Sequence, residues 1–319
     1  MSYNTLGSFI GVGKESTYGT PVAASSFLEL LDGGDSMKLK AGRIAKPTLR
    51  CASSLRSVKA KKSVDGSIKF PMTFAGPEMF LKYGLGTAST SALTGSNKSH
   101  SITLLNALPT TGLTVRMNRG EVGLLGEFIY QGCKINKLGF SLQPEGYLEC
   151  TVDLIGQDET IDTASTPTYT ASPYITWDLL TVKTIAGTDV PIQSFELNIE
   201  NNLDADTYKL GSLLRQNPGR GGSRKISGSV EMEFQSLTHY NYFINQTQNA
   251  IVLTFDGGII SGSDHWLLTF SLPKVNWMGE TPTADKVGPF KQKLNFETEA
   301  ASENDDLVIT LQNQTASIP

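Results

Sequence analysis

The amino-acid sequence predicts a mainly β protein of two tandem sandwich-like or barrel-like modules, each with one short α-helix and with long loops between strands. Three observations predict it. Short runs of alternating apolar and polar side chains recur along the chain, 31 Gly and 14 Pro punctuate them, and patterns of the first half return in order in the second. Alternation puts one face of a strand on a core and the other in solvent. At 319 residues the chain exceeds the roughly 250–300 residues at which single cores stop growing, so two packed units are expected. With 39% hydrophobic residues and 27 Lys+Arg against 31 Asp+Glu, net charge −4, it reads as a mildly acidic globular protein; a coiled coil is excluded.

The clearest strands are Ile68–Phe74, Leu113–Met117, Ile135–Leu142, Leu148–Ile155, Phe195–Ile199 and Ile226–Phe234, followed by Ile251–Phe255, Trp266–Leu272, Lys291–Phe296 and Leu307–Leu311. Pro144-Glu145-Gly146 between two of these runs reads as a turn, so 135–142 and 148–155 are expected to pair antiparallel. Helical patterning is confined to Pro77–Tyr83, with Pro77 in the first turn and Gly84 as the stop, and to Ser236–Asn245.

Laying one half over the other sharpens this. Gly66–Met72 matches Gly228–Phe234 at an offset of 162, and the same offset places Phe80-Leu81 on Tyr242-Phe243. Met37-Lys38-Leu39 answers Phe195-Glu196-Leu197, and Gly139–Leu142 answers Thr269–Leu272 at an offset of 130, the difference falling on a long loop, 87–111, that the second half lacks. The expected division is a first module over 1–160, with long loops 42–64 and 87–111, a polar linker at about 157–173, and a second module over 174–319.

No catalytic constellation emerges. Gly11-Val12-Gly13-Lys14 fails as a phosphate loop, because Ser8 stands where the first glycine belongs and Glu15 where a hydroxyl must hold magnesium. His100, His239 and His265 lack partners at ligand spacing; Cys51, Cys133 and Cys150 form no CxxC, so no zinc, disulfide framework or cofactor is expected. The acids Glu303, Asp305 and Asp306 read as a solvated charge run, and no GxSxG elbow is present. The Asn97, Asn245 and Asn313 triplets fit the glycosylation pattern by chance. No apolar run reaches the ~18 residues of a membrane span, and the start carries no secretory pattern, which predicts a cytosolic product.

Two segments are basic in this acidic chain. Arg43, Lys46, Arg50, Arg56, Lys59, Lys61 and Lys62 follow one another with no acid between them, and Arg215, Arg220, Arg224 and Lys225 recur in the second half among glycines. Without aromatic residues for base stacking, they fit contact with an acidic patch on a neighbouring subunit better than a nucleic-acid groove. Leu104 and Leu105, at the end of the expected loop 87–111, need a partner surface, and Leu307 and Ile309 fit either an edge strand or an arm laid on a neighbour.

The opening Leu6–Gly11, the string Lys14-Glu15-Ser16-Thr17-Tyr18-Gly19-Thr20-Pro21-Val22 and Phe27-Leu28-Glu29 resemble the start of tail tube (major tail) proteins of long-tailed bacteriophages and prophages. Gly66-Ser67-Ile68 leading into a short helix, Asn201-Asn202-Leu203 and Gly228-Ser229-Val230 extend the resemblance over nearly the whole chain. It implies a non-enzymatic structural protein that self-assembles into stacked rings, a hollow tube in the virion tail through which DNA leaves. Assembly would take place in the host bacterial cytoplasm, with tail terminator, tail tip and tape measure proteins as partners, and double-stranded DNA would pass without specific binding. Two modules per chain then predict a trimeric, pseudo-hexameric ring, with a plain hexamer as the competitor. The basic residues and the four leucine and isoleucine positions above are expected at subunit contacts, and Glu231, Glu233 and Glu297 in the channel, where lysine would hold phosphates. A capsid decoration or tail-completion protein, and a carbohydrate-binding or carbohydrate-cleaving β-sandwich, remain open as alternatives; Trp177, Trp266 and Trp277 are scattered in sequence rather than clustered as a sugar cleft requires.

Overall fold

In the computed structural model the described residues are 4–45, 49, 56–121, 125–282, 288, 290–300 and 304–319. The first half runs β1 (Phe9–Lys14), β2 (Ser26–Glu29), β3 (Lys38–Ala45), β4 (Ser57–Pro71), α1 (Glu78–Leu85), β5 (Gly86–Ala92), β6 (Lys98–Leu104), β7 (Leu113–Asn118), β8 (Glu127–Leu142), β9 (Glu149–Gly156) and β10 (Asp158–Asp162). The second runs β11 (Leu180–Ile185), β12 (Thr188–Asp189), β13 (Ile192–Glu200), β14 (Lys225–Glu233), α2 (Leu237–Ile244), β15 (Asn249–Ser261), β16 (Asp264–Met278), β17 (Lys291–Thr298) and β18 (Val308–Asn313). Every strand pair is antiparallel, and the protein is mainly β, as the alternation predicts.

The two halves share a pairing plan. In the first, β1 pairs β2 and β7, β3 pairs β4, β4 pairs β9, and β8 pairs β7, β9 and β10. In the second, β11 pairs β12 and β15, β13 pairs β14, β14 pairs β17, and β16 pairs β15, β17 and β18. Among the described residues only the β5–β6 hairpin lacks a counterpart. Register refines the sequence overlay: Asp35↔Ile68 matches Phe195↔Val230, so Met37 corresponds to Leu197, two residues from the expected match. Likewise Ile135↔Leu154 matches Trp277↔Phe296, which sets the β8–β16 offset at 142 rather than 130.

Several expectations are corrected. Segment 87–111 is mostly the β5–β6 hairpin, because Ser and Thr suit strand backbone as well as loops. Loop 42–64 is largely the extended ends of β3 and β4, and the linker 157–173 opens with β10, bonded to β8. Gly84 lies inside α1, where a Cβ would sit 2.2 Å from Leu138 Cδ1; the helix stops at Gly86, whose φ of 140° excludes other residues. The Gln143–Gly146 turn does close β8 onto β9.

The halves are joined by more than the chain. Their buried side chains form one contiguous core, in which Phe140 and Phe195 both pack on Phe270. The C-terminal end of β8 pairs β13 from Lys137↔Glu200 to Leu142↔Phe195. Buried Asn201 closes this seam: its N–H donates to Asn136 O at 2.7 Å and its Nδ2 to Gly84 O at 2.8 Å, which satisfies a carbonyl at the end of α1. Strand β18 is central, held between β16 and β6. At its C-terminal end, buried Asn313 donates from Nδ2 to Phe74 O (2.8 Å) and to Glu78 Oε1 (2.7 Å), while its Oδ1 lies 3.0 Å from His100 Nε2.

Removing one member of a buried network leaves the others desolvated and unpaired. Asn313→Ala is therefore expected to lower unfolding free energy by about 2–3 kcal/mol, read as a drop in urea midpoint; an unchanged midpoint refutes the network. Lys134 is buried with its ammonium against the carbonyls of Pro109 and Thr111, and burial pulls its pKa from 10.5 to about 8, partly offset by Glu15. The unfolded chain thus binds more protons between those values, so this group's contribution to stability rises as pH increases from about 8 to 10.5. Relative to Lys134→Met, the wild type should gain on the order of 2 kcal/mol across that window in urea titrations at fixed pH.

Candidate functional site: a polar sheet face and its open edges

Strands β3, β4, β9, β8, β13, β14, β17 and β16 are bonded in that order into a continuous antiparallel sheet crossing both halves. Alternation gives it two unlike faces. One carries Phe70, Val152, Leu138, Phe140, Leu197, Val230, Leu294 and Phe296 into the core. The other presents Ser67, Lys69, Glu149, Thr151, Asp153, Lys137, Ser141, Glu196, Asn198, Glu200, Ser227, Glu231, Asn295 and Glu297, none of them fully buried.

Charges on that polar face are arranged in cross-strand pairs. Lys69 Nζ lies 2.6 Å from Glu149 Oε2, Lys137 3.2 Å from Glu200, Lys225 3.4 Å from Glu297, Lys291 3.1 Å from Glu231 and Lys40 3.9 Å from Asp65. These groups are part-exposed, so each pair contributes roughly 0–1 kcal/mol. Their larger effect is to leave few lysines with an uncompensated charge. Asp153, desolvated among them, has its pKa raised by burial despite nearby Lys137. Glu231, Glu233 and Glu297 all lie on this face, Glu233 accepting from Gln193 Nε2 at 3.2 Å. Lys225, expected at a subunit contact, shares the face with Glu297.

The other basic positions divide. Lys46 and Arg50 lie outside the described residues. Arg43, Arg56 and Lys59 are exposed on the β3–β4 arm, where Arg43 donates to Ser57 Oγ at 3.3 Å. Lys61 pairs with Asp206, and Lys62 with Asp158 at 3.0 Å. Arg215 is buried inside the chain, not displayed to a neighbour: it donates to Val64 O (3.1 Å), Gly156 O (2.9 Å) and Asp65 (2.9 Å), tying loop 201–224 onto the first half. Arg220 and Arg224 bind the carbonyl of Leu105, and Arg224 also binds Asp306 at 2.9 Å. Leu104, Leu307 and Ile309 are fully buried within the chain, because β18 is neither an edge nor an arm; only Leu105 retains substantial exposure.

No cluster that could hold a metal exists among the described residues. His100 is a core residue held between Thr90 and Asn313, His265 lies 2.9 Å from Asp256, and burial lowers the pKa of His239. Glu15, at the failed phosphate loop, is buried and accepts from Gly19 N (2.8 Å), Gly132 N (2.7 Å) and Thr114 Oγ1 (3.1 Å), a structural role. Cys133 and Cys150 are buried free thiols; Cys51 lies outside the described residues, as does Glu303. Trp266 packs on Phe74 and Trp277 on Phe296, while exposed Trp177 sits on a separate 3-10 turn, Trp177–Leu179.

What distinguishes the sheet is its pair of unequal ends. Among the described residues β3 is bonded along one edge only, to β4, and most of it is exposed. At the far end, among the described residues, β16 past Val275 is ladder-paired only with β17 and runs on into segment 279–282, whose Thr281 Oγ1 lies 3.1 Å from Tyr240 OH. Sequence reading missed both edges, since β3 has almost no apolar face. The polar face was legible only through three of its acids, although its lysines occupy the same alternating positions.

Comparison with curated proteins finds no match. A family model described as phage tail tube protein matches residues 5–316. The chain therefore belongs to the phage tail tube proteins, structural components of the virion tail.

Proposed function

We propose that this chain assembles into rings of three that stack into a hollow tail tube, its bore lined by the polar face of the β3-to-β16 sheet, through which phage DNA is ejected. The observation that carries this is the sheet itself: two four-stranded units of like pairing, joined at the β8–β13 seam, with an open edge at each end. The matching pairing plans support descent of the halves from one duplicated module. Exposed edges are a liability in a monomer and vanish when a sheet closes into a barrel.

Three chains bring about 24 strands, at ~4.8 Å spacing and ~40° tilt. The backbone circle is then roughly 48 Å across, and side chains leave a bore of about 38 Å. A single chain's eight strands would instead close on a core packed with side chains. Lining such a bore with lysines paired to acids keeps phosphates from being held, since each free cation would exchange for a counterion along the duplex. Tail terminator, tail tip and tape measure proteins are the partners this role requires, with assembly in the host bacterial cytoplasm.

Electron microscopy of the purified chain tests this: tubes whose averaged rings hold three chains in six similar lobes are expected, whereas isolated particles overturn it and six chains per ring replace the trimer by the hexamer. Replacing Glu231, Glu233 and Glu297 together with Gln should leave tubes intact but slow genome release at low ionic strength in reconstituted virions, the defect fading as salt rises. Unchanged release at all salt concentrations removes these acids from the bore.

A further inference from the structure

We infer that the seam between neighbouring chains is an antiparallel ladder joining β3 of one protomer to the end of β16 of the next, in a register read from the seam already present inside the chain. The occupant of each open edge is thus a second copy of this protein. This rests on the tube reading above and specifies its contact.

The internal seam is β13 on the C-terminal end of β8. By pairing, β13 is the counterpart of β3: Lys38↔Asp65 and Leu39↔Val64 match Asn198↔Ser227 and Ile199↔Ile226. The end of β16 is the counterpart of the end of β8: Ile135↔Leu154 and Lys137↔Asp153 match Trp277↔Phe296 and Met278↔Asn295. Even the point at which the edge becomes free agrees, because β7 leaves β8 at Leu113↔Cys133 and β15 leaves β16 at Asn249↔Val275. Within the chain β13 fills the first of these edges. Among the described residues, no strand fills the second.

Transferring the register is then arithmetic. Lys137↔Glu200 becomes Met278 opposite Lys40 of the next chain, and Gly139↔Asn198 becomes Glu280 opposite Lys38. Strand directions alternate through the whole sheet, so this added pair is antiparallel like all the others. The ladder starts at Lys38, because the Met37 carbonyl already accepts from Arg119 Nη2 (2.8 Å) and Tyr130 OH (3.1 Å).

Charge supports the register independently. Lys38 and Glu280 are both exposed, and neither has an ion-pair partner among the described residues. Set opposite each other, they repeat across the chain boundary what Lys137 and Glu200 do at the internal seam, 3.2 Å apart. The remaining lysines of the polar face mostly have an acid on the adjacent strand already. A register slip of one residue would turn Lys38 to the other face.

Directly opposite residues in an antiparallel ladder bring Cβ atoms within disulfide reach. In a Cys51→Ser background, Lys38→Cys with Glu280→Cys in the same chain should, after mild oxidation of assembled material, give dimers and closed trimers on non-reducing gels. Each single variant, and Lys40→Cys with Glu280→Cys, should give at least tenfold less product. Tubes that form without the Lys38–Glu280 cross-link, or that cross-link equally through position 40, overturn the seam and leave the tube standing. Cross-linked rings that never stack support the seam and overturn the tube. A second pair guards against misfolding of the cysteine variants: Lys38→Glu should abolish assembly while circular dichroism is unchanged, and Lys38→Glu with Glu280→Lys should restore it. Failure of the swap to restore assembly overturns the pairing.

Discussion

The structure depends on one constraint: each strand in a sheet has two hydrogen-bonding edges, and an edge left without a partner exposes a row of amides and carbonyls. Most of this chain's architecture is a way of meeting that requirement. β10 and β18 fold back to cover β8 and β16, the β5–β6 hairpin covers the outer edge of β18, and β13 covers the end of β8. Asn201 and Asn136 complete the last of these where regular pairing ends. Among the described residues β2, β5, β10 and β12 are also paired on one side only, but the free edges of β3 and of the end of β16 lie at opposite ends of a single sheet, and that placement, rather than any pocket, is what gives the molecule its polarity.

The same alternation that builds the sheet separates its functions. Residues pointing one way are Phe, Leu, Ile and Val and hold the halves in one core. Residues pointing the other way are Ser, Thr, Asn and paired charges, which contribute little to stability yet would, in the proposed bore, determine what the face does to a polyanion. A face of bare lysines would bind DNA. A face of bare acids would repel it and would also strain the sheet by like-charge contact between neighbouring strands. Cross-strand Lys–Glu pairs avoid both.

How much of this was legible in the sequence follows from the physics of each segment. Strands with one apolar and one polar face, such as β9 and β17, announced themselves. β1 did not, because its first five residues are all buried and no period-two pattern survives. β3 and β10 did not because they are mostly exposed, and β5 because Gly, Ser, Thr and Ala dominate it. His100 broke the pattern of β6 by standing at a core position where its ring is satisfied by Thr90 and Asn313. The basic segment near Arg215 was visible, but its purpose was not: a buried guanidinium that gathers carbonyls from both halves has the same sequence signature as one displayed to a partner. Contacts with residues about 150 positions away leave no local trace.

Carrying two modules in one chain changes the energetics of closing a ring. Joining separate subunits costs an estimated 4–15 kcal/mol of translational and rotational freedom at each association. In a ring of six single modules every seam carries that cost, apart from the last, which closes intramolecularly. In the proposed ring of three, alternate seams would be the β8–β13 junction, fixed when the chain folds and supported by Asn201, Arg215 and the shared core. In that ring only the inferred β3–β16 seams would remain to be made between molecules, and these could be shorter and more polar than the internal one without leaving the ring unstable. The difference between the two seams is already visible in the chain. β13 buries Phe195, Leu197 and Ile199 against β8, whereas the corresponding stretch of β3 offers Leu39 flanked by lysines. An interface of that composition would gain specificity from charge pairing more than affinity from burial.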